Sequence, residues 1–129
     1  MMSRGSTVLA LSAAIAFSIA GSHGAVAQNA TPIDMVDFVV DQKDLVGKRV
    51  RLTGCTITGA SAVVVLCTSE VASIPLEVDT IAREDLRRAL RACSGFDRRQ
   101  ACRAEVEGTV VQKPVGLQLG QSIIHWASP

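Results

Sequence analysis

The sequence lacks the residue patterns on which the common classes of enzyme depend. It has no G-x-S-x-G nucleophile motif, no H-E-x-x-H zinc motif and no glycine-rich phosphate loop. After residue 27 its only histidine is His125. The acidic residues Glu84, Asp85, Glu105 and Glu107 are better explained as helix N-terminal charges and as one face of a strand than as a catalytic dyad. We therefore expect a protein that is not an enzyme and that needs no cofactor.

The sequence also has few aromatic residues, and it has no excess of positive charge after residue 27. The chain has three Phe, one Trp and no Tyr, and the strands predicted below to form a ligand face contain no aromatic residue. Proteins that bind single-stranded nucleic acid stack the bases on aromatic rings. Without residues 1–27, which contribute Arg4, the chain has 12 basic and 12 acidic side chains. A neutral domain has no long-range field that attracts a polyanion, so nucleic acid is disfavoured as a partner.

No apolar run is long enough for a membrane-spanning helix. The longest, residues 8–20, has about 13 residues, whereas a span needs ~20. Arg4 precedes this run, and the small-residue triplet at 25–27 follows it. This layout predicts a signal peptide over residues 1–27, cleaved near Ala27, and an exported chain with no membrane span. The remainder divides into a lead-in segment, 28–40, and a domain, 41–129.

Hydrophobic periodicity predicts five strands and one helix in that domain. Alternation at period two predicts strands over 48–58, 62–69, 74–78, 102–110 and 117–126, and a helical period predicts a helix over 81–93. Gly54 interrupts the alternation of the first strand, which predicts a β-bulge. Asp41 and Gly47 predict a tight turn that leads into the same strand.

Four cysteines follow the predicted signal peptide: Cys55, Cys67, Cys93 and Cys102. An even number in a small exported domain predicts disulfides, whereas a zinc site that includes His125, or a redox site, is disfavoured because no C-x-x-C pair occurs. The first two strands meet at a turn over 59–61, which would place Cys55 opposite Cys67. Cys93 and Cys102 flank one short loop. We therefore predict the pairs Cys55–Cys67 and Cys93–Cys102.

Residues 41–50, DQKDLVGKRV, lead directly into the glycine-broken strand. This segment resembles the opening of small OB-fold proteins of the bacterial cell envelope, in which a D-x-x-x-L-x-G-K-x-V phrase precedes the first strand. The resemblance implies an all-β domain with one helix, a five-stranded OB-type Greek-key barrel in the order three strands, helix, two strands. It also implies a periplasmic location. Such families bind oligonucleotides, oligosaccharides or proteins, so the fold does not determine the ligand.

The resemblance also implies where a ligand would bind. OB barrels place ligands across the second and third strands and the loops beside them. In this chain the candidate contacts are Thr68, Ser69, Glu70, Glu77 and the loop 58–62. We expect a non-catalytic binding module whose partner is an envelope protein, a peptide or an envelope polymer.

An alternative function depends on an arginine cluster. Residues 83–103 contain seven arginines against Glu84, Asp85 and Asp97. Arginine suits phosphate and carboxylate groups, so the cluster is a candidate site for an anion or nucleic acid. The competing interpretation is a solvated helix face with bases towards its C-terminal end. The cluster consists of Arg83, Arg87, Arg88, Arg91, Arg98, Arg99 and Arg103.

Overall fold

The computed structural model describes residues 30–127, which form six strands and two α-helices. The elements are β1 (Thr31–Asp34), α1 (Met35–Leu45), β2 (Arg49–Thr58), β3 (Val65–Thr68), β4 (Ser73–Leu76), α2 (Arg83–Ala92), β5 (Arg103–Lys113) and β6 (Gly116–Trp126). Short 3-10 turns at Val78–Thr80 and Gln100–Cys102 precede α2 and β5. The predicted signal peptide, 1–27, lies outside the described residues. No helix within residues 30–127 is both long and apolar enough to cross a membrane.

All six strands belong to one sheet, and β2 is its central element. On one edge β2 pairs in parallel with β1 and, further along, antiparallel with β3, while β5 pairs with its other edge. β3 pairs with β4, β4 meets β6 in parallel at Leu76 and Leu119, and β6 pairs with β5. The pairings therefore run from β2 through β3, β4, β6 and β5 and return to β2.

The hydrophobic core lies on the inner face of this sheet. Alternate residues of the strands point into it, as Val50 and Leu52 do in β2 and Ala104 and Val106 do in β5. The largest fully buried aliphatic side chains include Leu52, Ile57, Leu76 and Leu119. Each stabilises the fold by about 1.5 to 3 kcal/mol relative to an exposed position.

The prediction of five strands and one helix is wrong, because β1 and α1 precede the first predicted strand. Asp34 caps α1, since its Oδ1 accepts a hydrogen bond of 2.8 Å from the Asp37 amide. Met35 and Phe38 are buried in the core, so α1 is part of the domain and crosses the predicted boundary at 40/41. The turn predicted to begin at Asp41 is instead the second half of this helix. Gly47 lies beyond its end with φ +85°.

The helix predicted over 81–93 corresponds to α2, and the two last predicted strands correspond to β5 and β6. The bulge predicted at Gly54 is confirmed: Gly54 has φ +75°, and the pairing of β2 with β5 shifts register between Leu52 and Cys55. Positive φ is a conformation that glycine adopts without steric cost. Gly54 therefore bends β2 between its pairings with β1 and β3.

The two disulfides have the predicted partners, Cys55–Cys67 and Cys93–Cys102, with Cα–Cα distances of 5.2 and 5.9 Å. The expected register of the first pair is wrong, because Cys67 lies opposite Ile57 and not opposite Cys55. The loop between β2 and β3 is longer than predicted, which moves the centre of the hairpin by one residue along the chain. Two disulfides indicate an oxidising compartment outside the cytoplasm.

A candidate ligand-binding cleft beside the β2 bulge

An open cleft of about 510 Å³ lies beside Gly54. On this edge of β2, the pairing with β1 ends where Asp34 meets Thr53, and the pairing with β3 begins where Thr68 meets Thr56. The interval between the two neighbouring strands leaves room beside the bulge. We call this space the bulge cleft; its lining residues are Asp34, Met35, Val36, Thr53, Gly54, Thr56, Ser69, Glu70, Val71, Arg98, Gln100 and Arg103.

Charged side chains of both signs line the bulge cleft. Arg98 lies 3.6 Å from the Glu70 carboxylate, and both of these side chains are exposed to solvent. No hydrogen bond or ion pair within residues 30–127 engages the side chain of Arg103. Asp34 and Glu70 balance the two arginines, so the lining has no net charge. Met35, Val36 and Val71 add apolar surface.

Covalent and hydrogen-bonded constraints hold the walls of the cleft. The Cys55–Cys67 disulfide joins β2 to β3 behind it, and the Cys93–Cys102 disulfide closes the loop that carries Arg98. In the turn between β3 and β4 the Ser69 hydroxyl accepts a 3.2 Å hydrogen bond from the Val71 amide. A ligand would therefore meet a surface that is largely formed before binding, which lowers the entropic cost of association.

A row of hydroxyl groups crosses the outer face of β2, β3 and β4 next to the cleft. The Thr58 and Thr68 Oγ1 atoms are 2.7 Å apart, and Thr68 Oγ1 is 2.9 Å from Ser73 Oγ. Three hydroxyls share two hydrogen bonds, so the exposed Ser73 end can donate to a ligand or accept from it. Leu66 and Pro75 lie opposite each other on the same face and are half-buried.

Phe96 brings an aromatic ring to the edge of this face. It is 78% exposed, and it lies so close to Gly59 that a Cβ atom there would be 2.8 Å from Phe96 Cε1. The Leu66 side chain lies beside the same position. We expected no aromatic residue from the strand sequences, and the loop closed by Cys93 and Cys102 supplies one. The sequence offers one indication of this ring, because Phe96 is a large apolar residue in an otherwise polar loop between two paired cysteines.

The structure brings together three of the four predicted ligand-face residues. Ser69 and Glu70 line the bulge cleft, and Thr68 belongs to the adjacent hydroxyl row. Glu77 does not belong there: it lines a separate groove of about 490 Å³ and pairs with Lys113 at 3.1 Å. The predicted loop 58–62 is divided as well, because Thr58 is buried within the hydroxyl row and Ala62 lines the separate groove.

The predicted arginine cluster does not form one surface. Arg98 and Arg103 line the bulge cleft, whereas Arg87, Arg88 and Arg91 line a hollow of about 300 Å³ on α2.

The Arg88 guanidinium lies 4.2 Å from the centre of the Trp126 ring and donates to the Ala101 carbonyl at 3.3 Å. The Arg99 guanidinium donates to the Ala92 carbonyl at 3.2 Å, at the C-terminal end of α2. Thus Arg88 and Arg99 also have local structural roles.

His125 belongs to a polar network on the outer face of β2, β5 and β6. Its Nε2 lies 3.1 Å from Glu107 Oε1, while Arg49 Nε donates to Glu107 Oε2 at 3.2 Å. Burial raises the pKa of the Glu107 carboxyl, but hydrogen bonds from His125 and Arg49 and their charges outweigh it, so this pKa lies below its ordinary value. None of these three residues lines the bulge cleft.

Neither metal-binding geometry nor similarity to known proteins identifies a chemistry for this chain. Among the residues that the structure describes, no group of three or more His, Cys, Asp or Glu side chains could hold a metal ion. No protein-family model matches the chain, and no curated protein shows significant similarity to it.

Proposed function

We propose that this protein is a non-catalytic OB-type module of the periplasm that binds a polypeptide segment in the bulge cleft. The closed series of pairings, β2-β3-β4-β6-β5-β2, supports a five-stranded OB-type Greek-key barrel to which β1 and α1 are added. The two disulfides and the tripartite N-terminal sequence support export.

The observation that carries the proposal is the mixed lining of the bulge cleft. Arg98 and Arg103 can pair with carboxylates, Asp34 and Glu70 can pair with amines, and the exposed Val36 and Val71 can cover an apolar side chain. Polypeptides present all three kinds of group within a few residues. A polyanion would meet repulsion from the two carboxylates, and a neutral glycan would leave the charges of the cleft without partners.

The absence of catalysis is part of the proposal and is supported by the hydrogen bonding of the candidate groups. The Ser69 hydroxyl in the cleft is bonded to the backbone of Val71 and Ala72, and within residues 30–127 no hydrogen bond joins it to a histidine or a carboxylate. His125 is bonded to Glu107 on another face. We expect broad hydrolase screening to find no turnover.

Selection from a random peptide library, followed by fluorescence anisotropy of the selected peptides, tests the function. Peptides with charges of both signs should bind, with little dependence on salt because the charges of the cleft cancel. Arg103→Ala and Glu70→Gln should each weaken binding about tenfold, as expected for a hydrogen bond to a charged group. Lys48→Ala and Asp44→Asn are matched controls on exposed residues outside the cleft. Equal binding by all four variants, or a failure of the library to yield any peptide that binds, would contradict the proposal.

An anion or nucleic-acid binder that uses the arginine cluster is the second candidate function. The hollow on α2 favours it, since Arg87, Arg88 and Arg91 line it together with a single acid, Glu84, which pairs with Arg87. Titration with a fluorescent oligonucleotide at two salt concentrations tests it, with an affinity that falls steeply as salt rises. No binding at low salt would exclude it.

A further inference from the structure

The outer side of α2 forms a basic surface whose orientation is fixed by contacts on the inner side of the helix. Ala89 is fully buried, and Trp126 holds both Asp85, by a hydrogen bond, and Arg88, by its ring. The opposite side of the helix faces solvent, and Arg99 adds its charge at the C-terminal end. We call this surface the arginine face; it consists of Arg83, Arg87, Leu90, Arg91 and Arg99, with one exposed acid, Glu84, which pairs with Arg87.

The charges of the protein are distributed unevenly along the sequence. Residues 83–103 have seven arginines and three acids, an excess of four positive charges, whereas the rest of residues 30–127 has five basic and nine acidic side chains. Helix α1 belongs to the negative part, with Asp37, Asp41 and Asp44 against Lys43. A neutral protein whose charge is distributed unevenly is oriented by a charged surface even though it has no net attraction at long range.

We propose that the arginine face docks on the anionic headgroups of a phospholipid membrane. Leu90, 40% exposed, lies among the arginines, so an apolar side chain can enter the headgroup region while the guanidinium groups contact lipid phosphates. The exposed valines of α1, Val36 and Val40, are less suited to this role because the acidic residues of that helix would be repelled.

A lipid surface fits the arginine face better than a nucleic acid does. Single-stranded nucleic acid requires a series of exposed aromatic rings, and the arginine face contains none. Trp126, the aromatic ring that Arg88 of this helix covers, is half-buried on the inner side. An extended anionic plane can contact several arginines of one helix face at once, without readout of bases.

Retention of the full-length protein on sedimenting vesicles tests the proposal. Vesicles of phosphatidylcholine with phosphatidylglycerol should retain the protein, vesicles of phosphatidylcholine alone should not, and retention should fall as salt rises. Arg87→Ala combined with Arg91→Ala should lower the partition coefficient about 25-fold, since each basic residue near such a surface contributes about a factor of five. The fluorescence of the single Trp reports whether α2 stays docked in each variant.

Lys43→Ala combined with Lys48→Ala is the matched control, because it removes the same charge from exposed residues elsewhere and leaves Arg4 and the apolar N-terminal run unchanged. Anionic vesicles should retain this control variant nearly as well as they retain the unmodified protein. The proposal is overturned if anionic vesicles do not retain the protein, or if the two double variants behave alike. It is equally overturned if the arginine variant loses affinity for an oligonucleotide and keeps its retention on vesicles. None of these results depends on peptide binding in the bulge cleft.

Discussion

Trp126 Nε1 donates a hydrogen bond of 2.9 Å to Asp85 Oδ1 and thereby joins the last strand to the only helix between β4 and β5. Arg88, one turn further along the helix, covers the indole ring. These contacts fix which side of α2 faces the sheet. The same helix ends at Cys93, whose disulfide holds the loop of Phe96 and Arg98. The contacts of Trp126 thus orient the arginine face, and the disulfide that follows the same helix holds one wall of the bulge cleft.

Trp126→Phe should lower the free energy of unfolding by about 1 to 2 kcal/mol, because the Asp85 carboxylate loses a hydrogen-bond donor and the contact with Arg88 is weakened. Urea denaturation followed by far-UV circular dichroism measures the change. Asp85→Asn keeps an acceptor for the indole N–H and should cost less. A larger loss in Asp85→Asn than in Trp126→Phe would show that the hydrogen bond is not the dominant contact.

The central strands and α2 could be predicted from the sequence because their patterns are local. Val50 and Leu52 alternate with arginines, and Gly54 breaks that alternation where the bulge occurs. The cysteine pairs followed from element positions alone. Helix α1 could not be predicted, because Val36, Val39 and Val40 are apolar and yet exposed, which hides the amphipathic period.

The candidate site was harder to predict than the fold, because it depends on contacts between distant segments. The resemblance to OB barrels predicts Ser69 and Glu70 as ligand contacts, but the opposite wall of the cleft comes from β1 and α1, which the periodicity does not reveal. Glu77 is near them in sequence and lies in another groove, since β4 ends at Leu76 and the chain turns away. Phe96 reaches the face only through the disulfide-closed loop.

Replacing Cys93 and Cys102 together by Ala should lower the free energy of unfolding by roughly 3 kcal/mol, because the chain-entropy model assigns that cost to opening a loop of about ten residues. Urea denaturation of the oxidised proteins measures it. The Cys55→Ala, Cys67→Ala pair should cost a similar amount, since the two bonds span 12 and 9 positions. Non-reducing peptide mapping that linked Cys55 to Cys93 would contradict both expectations.

Gly54→Ala should lower the free energy of unfolding by about 1 to 2 kcal/mol for conformational reasons alone. A Cβ atom at this position would meet nothing within 4 Å, so the cost arises from placing an L-residue at φ +75°. Asn tolerates this conformation better than other side chains, and Gly54→Asn should therefore lose less. Denaturant titration of the two variants measures the difference. Equal losses would point to a packing effect that the open surroundings do not predict.

Glu107→Gln should reduce the loss of stability that acid causes. A carboxyl whose pKa is lowered by folding stabilises the protein above its ordinary pKa, and this contribution disappears as pH falls through the lower, folded value. For Glu107 that window lies below about pH 4.5. Urea denaturation over a series of pH values measures the effect. As pH falls, the free energy of unfolding should decrease less steeply for the variant than for the unmodified protein.

The titration of the Glu107 carboxyl, followed by its carbon NMR signal, is an independent check of the same prediction. It should have a midpoint below 4.5, and the midpoint should rise in Arg49→Gln, which removes one donor and one positive charge from the carboxylate. His125→Gln should shift it in the same direction, because its ring is the second hydrogen-bond partner. A midpoint at or above the ordinary value in the unmodified protein would mean that burial, not hydrogen bonding, dominates at Glu107.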